Sequence, residues 1–223
     1  MNSKHFRWVF LALAVLVFYF ANIGHPTIIG STMECEDGRY YYAAGSSPPS
    51  LAFAAVVILS YCALLASRPS ENLRPVKGVV RRWIAFWLDF LIAMAAIGPI
   101  IGMIEVFAEW FRTGGFEWSF ERTEAASGDA IVNIGKLILA FLLISFYFAL
   151  PLVAQRPSPG SCILGYRVIA DNRQPLPMGA ALKRTALGFT AAIRVFRGIG
   201  TERNPDQGKF WLDFRFNTRA VEL

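Results

Sequence analysis

The chain has 223 residues, 55% of them hydrophobic, a mean hydropathy of +0.42 and a formal net charge of +6. Soluble domains sit near about 45–50% apolar, and here the excess is gathered in blocks, so the expected class is an all-α integral membrane protein. Cys35, Cys62 and Cys162 fit no zinc or disulfide spacing, His5 and His25 cannot hold a metal between them, and no phosphate-binding glycine loop occurs, so neither a cofactor nor an enzyme is expected.

Residues 1–7 are polar and basic, and Trp8 to Ala21 is apolar, continuing past His25-Pro26 to Ile29. A first span over about 8–28 is expected; a cleaved signal peptide is the alternative, but no clear small-x-small site follows. Residues 30–50 read as a loop with Glu34, Glu36 and Asp37, and Leu51 to Ser67 as a short second span free of charge. Arg68, Arg74, Lys77, Arg81 and Arg82 then stand against Glu71 alone. A third span is expected over about 83–107, an acidic loop over 108–130, and a fourth span over about 131–153. Residues 154–223 are basic, with 11 Lys or Arg against 5 Asp or Glu.

Basic segments therefore alternate with acidic loops. Lys and Arg mark cytoplasmic flanks, so four spans with both termini in the cytoplasm of a bacterial inner membrane are expected. The organisation divides into an N-terminal helical pair, 1–79, and a second region, 80–223. Thr185 to Ile193 is too short to cross a bilayer. Leu182, Ala186, Phe189 and Ile193 recur at helical spacing between basic residues. They suggest an amphipathic helix lying against anionic lipid, or one packed on the tail itself. Cys162 to Ala170 has strand character, and Phe210 to Asn217 alternates apolar and polar with a period of two, which suggests a second strand and a small β element.

Asp89 is the residue around which these elements are organised, because an ionisable group inside a span is costly and needs a partner. Arg82 lies seven residues earlier on the same helical face, with the small Ala85 between them. Two turns is long for direct contact, so each is expected to pair elsewhere, Asp89 with a basic residue of the tail. Glu105 and Lys136, near the far ends of spans three and four, are expected to pair, as a structural link or as an outer gate. Gly98 and Gly102 flank Pro99 and suggest close helix packing and a kink, or a broken helix lining an ion site.

Three blocks follow one another in order. The first is Arg82-x-x-Ala85-x-x-x-Asp89. The second is Ser158-Pro159-Gly160-Ser161-Cys162-Ile163-Leu164-Gly165-Tyr166-Arg167-Val168-Ile169, followed by Arg184. The third is Asp213-x-x-x-x-Thr218-x-x-Val221. This set, from about residue 80 to 221, resembles the RDD family of small bacterial membrane proteins, named for an arginine and two aspartates. The resemblance places the arginine at Arg82 and the aspartates at Asp89 and Asp213. It departs in having Ser161 where many members carry lysine, Asn217 where glycine usually precedes the threonine, and a short amphipathic stretch where most have a further membrane helix. Some members are associated with sodium or lithium/proton exchange.

The resemblance implies membrane association and marks Arg82, Asp89 and Asp213 as a motif that is either ion- or proton-handling or structural, tying the helices and the tail together. Two functions are expected from different classes: cation/proton transport, alone or within a transport assembly, and a non-catalytic membrane scaffold or accessory subunit. The expected partners are the bilayer, anionic lipids at the cytoplasmic face, and another copy or a membrane protein; nucleic acid is not expected.

Overall fold

The computed structural model describes residues 6–22, 31–36, 39–68, 74–76, 79–122, 129–195 and 211–223. Four long helices form the frame: α1 (Phe6–Asn22), α2 (Pro48–Ala66), α3 (Val79–Thr113) and α4 (Asp129–Ala154). The last three are long and apolar enough to cross a membrane, with mean hydropathies of 2.1, 2.2 and 2.6 over their best windows. The chain is thus a multi-pass membrane protein in its helical content. α1 is apolar but shorter, at 17 residues, and the expected extension of that span to residue 28 lies outside the described residues.

Local chemistry sets the helix ends. Ser47 opens α2: its Oγ accepts from Ser50 N at 3.3 Å while Ser50 Oγ accepts from Ser47 N at 3.0 Å. That is a reciprocal cap, with Pro48 at the first helical position, where a missing N–H costs nothing. α3 is one helix of 35 residues with Pro99 inside it. The broken-helix alternative for Gly98 and Gly102 is therefore not what forms: both lie buried in a continuous helix. Half of its spanning window is buried, against 28% for α2 and 22% for α4, which makes α3 the most enclosed of the three.

The two acidic stretches expected to be loops contain a sheet. β1 (Ser31–Glu36), β2 (Arg39–Gly45) and β3 (Ser119–Arg122) pair antiparallel in that order, with Ser31 opposite Ala44 and Tyr42 opposite Arg122. The charges at 34–39 hid a run of strand-favouring residues, Tyr40 to Tyr42, and their second partner lies far along the chain at 119–122.

After α4 come α5 (Pro159–Ile163), β4 (Tyr166–Ala170), α6 (Met178–Val195), α7 (Trp211–Phe216) and β5 (Thr218–Glu222). The expected strand at 162–170 forms only from Tyr166, because Pro159 starts a turn of helix first. The expected strand at 210–217 is wrong: Trp211–Phe216 is helical, and the strand that pairs with β4 is Thr218–Glu222. A six-residue alternation is compatible with one and a half helical turns, and contacts outside the segment decided it. Arg74 to Val76 adds a further edge, with Val76 N donating to Ala220 O at 3.1 Å and Glu222 N to Arg74 O at 2.9 Å.

Packing divides the chain into two units. One comprises Met1–Ala14, Leu59–Ile92 and Ser145–Leu223; the other comprises Val15–Ile58 and Ala93–Ile144. In the first unit, Val76, Ala85, Tyr166 and Ala220 form one core cluster, and Ala149, Leu152, Ala170, Leu176 and Ala181 another. α6 is seated on the membrane helices: the Phe189 ring lies 5.4 Å from both Phe86 and Phe148. The alternative of a helix packed only on the tail is thereby corrected.

Candidate functional site

The Arg81–Arg82 end of α3 brings together the blocks that are distant in sequence, all within the first unit. Asp89 is 3% exposed. Its Oδ2 accepts from Ser158 Oγ at 2.5 Å, and its Oδ1 accepts from Gly160 N at 2.6 Å and Tyr147 Oη at 3.2 Å. The expected basic partner from the tail is therefore corrected: among the described residues the donors to Asp89 are all neutral. The reason is local. Ser158 is the N-cap of α5 with Pro159 following, so the first amides of α5 point outward in need of acceptors, and Asp89 supplies one from another helix.

This approach needs glycine. A Cβ on Gly160 would stand 2.2 Å from the Ala85 carbonyl oxygen and 2.9 Å from the Asp89 backbone nitrogen. Ala85, 1% exposed, is the surface against which α5 sits. α5 then ends at Leu164, and Gly165 turns the chain with φ +73°. Arg81 holds that turn, donating to the Leu164 carbonyl through Nε at 2.8 Å and also through Nη2. Tyr147 is held in turn by Tyr61 of α2, whose hydroxyl donates to the Tyr147 carbonyl at 2.6 Å while the rings stack at 4.8 Å.

Asp213 is fully buried, on α7. Arg82 Nη1 pairs with its Oδ2; Arg184 Nη2, from α6, pairs with its Oδ1 at 2.7 Å. Thr218 Oγ1 donates to the same Oδ1 at 3.0 Å and accepts from Arg184 Nε at 3.2 Å. Burial alone would raise the Asp213 carboxyl, but the two guanidiniums outweigh it and hold it below its usual value. Asn217, just before Thr218, has φ +48°. That is the left-handed region, which asparagine tolerates better than most residues. Arg82 and Asp89, read from the sequence as one face, thus serve different neighbours.

A model of the RDD family matches residues 76–202, more than half of the chain. The chain belongs to the RDD family. No curated protein and no solved structure matches it. The RDD match takes in Arg82, Asp89, the 158–169 block and Arg184, while Asp213 and Thr218 lie beyond its end. Arg82, inside the matched region, pairs with Asp213, which lies beyond it.

Glu105 and Lys136 are joined by an ion pair in the second unit, at 2% and 7% exposure. Burial of both charges is tolerable only as a pair. Among the described residues no group of three or more His, Cys, Asp or Glu could hold a metal. Tyr147, Tyr61, Ser158 and Gly160 were not singled out as site residues from the sequence. A tyrosine inside an apolar span was the available signal, since its hydroxyl must find an acceptor.

Proposed function

We propose that this RDD protein is a non-catalytic membrane scaffold or accessory subunit, in which Asp89 and Asp213 latch the segment after α4 onto the membrane helices. One observation carries this reading: every oxygen of the two carboxylates is engaged by a donor of the chain itself. Asp89 acts as a helix cap and Asp213 as a two-arginine anchor. α1 joins α2–α4 as a fourth span, both termini face the bacterial cytoplasm, and the exposed apolar helix faces meet lipid, another copy or a membrane partner. The alternation of basic and acidic segments supports that orientation.

A second reading rests on a different observation. The donors to Asp89 carry no charge, so a proton or a small cation could neutralise its carboxylate, as cation/proton exchange requires. Protein reconstituted in liposomes with a trapped pH dye separates the two. The scaffold reading expects no proton movement on adding sodium, lithium or potassium, and lower abundance for Asp89→Asn in cells. Cation-dependent proton flux in the wild type, abolished in well-folded Asp89→Asn, would replace it with transport.

A further inference from the structure

The Thr113 end of α3 carries five aromatic rings that pack on one another and still face outward. Phe107 lies 6.1 Å from Trp110, and Trp110 lies 5.5 Å from Phe111. The chain then reverses. Gly114, at φ +76°, donates from N to Trp110 O at 2.8 Å and closes the helix. Thr113 Oγ1 donates to Glu109 O at 3.0 Å and accepts from Gly115 N at 3.3 Å. The reversal brings Phe116 back edge-on to Trp110 at 6.0 Å, with Trp118 at 5.2 Å beyond it. Trp118 O accepts from Ser46 N at 2.8 Å, and Ser119 pairs with Gly45, so the rings are fixed to the β2–β3 edge of the sheet. All of this lies within the second unit.

Exposure of the five rings runs from 38% for Trp110 to 83% for Phe111. So large a contiguous aromatic patch marks a contact surface. What covers it follows from two limits. Hydrocarbon is excluded, because residues 114–118 leave the helix, and irregular backbone facing lipid does not occur in the apolar layer. The half-exposed Arg112, paired with Glu109, stands at the same level. Bulk water leaves the patch uncovered. The headgroup layer meets both limits: rings enter it readily, and indole N–H groups find acceptors there. Length agrees, since the 35 residues of α3 rise about 52 Å against a hydrocarbon layer of about 30 Å. Charge argues against a purely electrostatic contact. Glu109, Arg112, Glu117, Glu121 and Arg122, the charged side chains nearby in sequence, carry no positive excess.

We propose that Phe107, Trp110, Phe111, Phe116 and Trp118 form an interfacial anchor, which seats the end of α3 and the β2–β3 edge in the phospholipid headgroup layer. The anchor binds through its rings and takes zwitterionic lipid as readily as anionic lipid. It is independent of both readings of function, since neither uses these residues.

The test replaces Phe111 by the photo-crosslinker p-benzoylphenylalanine in the full-length protein, in vesicles of phosphatidylcholine, and weighs and fragments the products by mass spectrometry. A lipid adduct is expected at a yield equal to that from the same replacement at Phe141, an exposed ring midway along α4. Replacement at Gln174, in an exposed turn outside the spans, should give none. Attachment at 111 is expected on the glycerol and upper acyl carbons. Yield should not change when phosphatidylglycerol replaces part of the phosphatidylcholine. Crosslinked dimers in place of lipid adducts assign the rings to a second copy and overturn the proposal. No adduct at 111 leaves the rings in water and overturns it too. So do adducts confined to acyl-chain ends, and adducts that require phosphatidylglycerol. If replacement at Phe111 prevents folding, Phe116 takes its place with the same outcomes.

Discussion

Asp89 and Asp213 are both buried, and both draw distant parts of the chain together, but by opposite means. Asp213 sits outside the spans, between two guanidiniums and a threonine. Asp89 sits inside α3 with a serine, a tyrosine and a backbone amide. The first is a charge cancelled by charge. The second is an acceptor satisfied by dipoles, which fits a site where few charged side chains can follow. The pair shows that one chain can combine an anchor that requires ionisation with a cap that works through hydrogen bonds.

The largest break in this comparison is expected at Asp213. Asp213→Ala leaves Arg82 and Arg184 facing each other at a buried site and is expected to cost about 3–5 kcal/mol, read as a fall in thermal stability in detergent. Arg82→Ala combined with Arg184→Ala should cost more than the sum of the singles, because either arginine alone still pairs the buried carboxylate and only the double change leaves it without a cation. The sign with pH follows from the lowered carboxyl. The anchor's contribution is complete above the ordinary carboxylate value of 3.8 and is lost as pH falls through the lower folded value. Asp213→Asn should remove that acid-side loss, which stability curves at several pH values would show.

Gly160→Ala comes next. The new methyl meets backbone and not a flexible side chain, so α5 must move away from α3 at a cost of about 1–3 kcal/mol or more. Loss of the Asp89 cap would accompany it, and an unchanged melting temperature would show that α5 does not pack on Ala85. Asp89→Asn should be milder, about 1–3 kcal/mol, since the amide oxygen can still accept while its NH2 faces a donor. Tyr147→Phe removes one neutral bond and should cost about 0.5–1.5 kcal/mol. A Tyr147→Phe loss equal to that of Asp213→Ala would erase the distinction between the two carboxylates.

Much of the helical frame was legible because it rests on local properties. Apolar runs of spanning length announce themselves in composition, and α2, α3 and α4 lie within a few residues of the stretches read as spans. The RDD blocks were legible as ordered motifs, and the usefulness of Ala85 followed from its size. What Asp89 touches was not legible, because a carboxylate in a span can be answered by any donor that arrives. Two of the donors came from a helix cap about seventy residues later and the third from a tyrosine of α4. The 31–45 and 119–122 strands were missed for a similar reason: a short strand is defined by its partner, and charge was the louder signal. The alternation at 210–217 misled because six residues suit helix or strand equally well.

By itself, then, the sequence determined the membrane class, the three long apolar helices and the family, all properties that accumulate residue by residue along the chain. Only the tertiary structure decided that Arg82 closes on Asp213 and not Asp89, that Asp89 caps α5, and that α6 rests on Phe86 and Phe148. Those choices depend on which donors and surfaces meet after the chain has folded, and residue spacing along one helix carries no information about what the rest of the chain will bring to it.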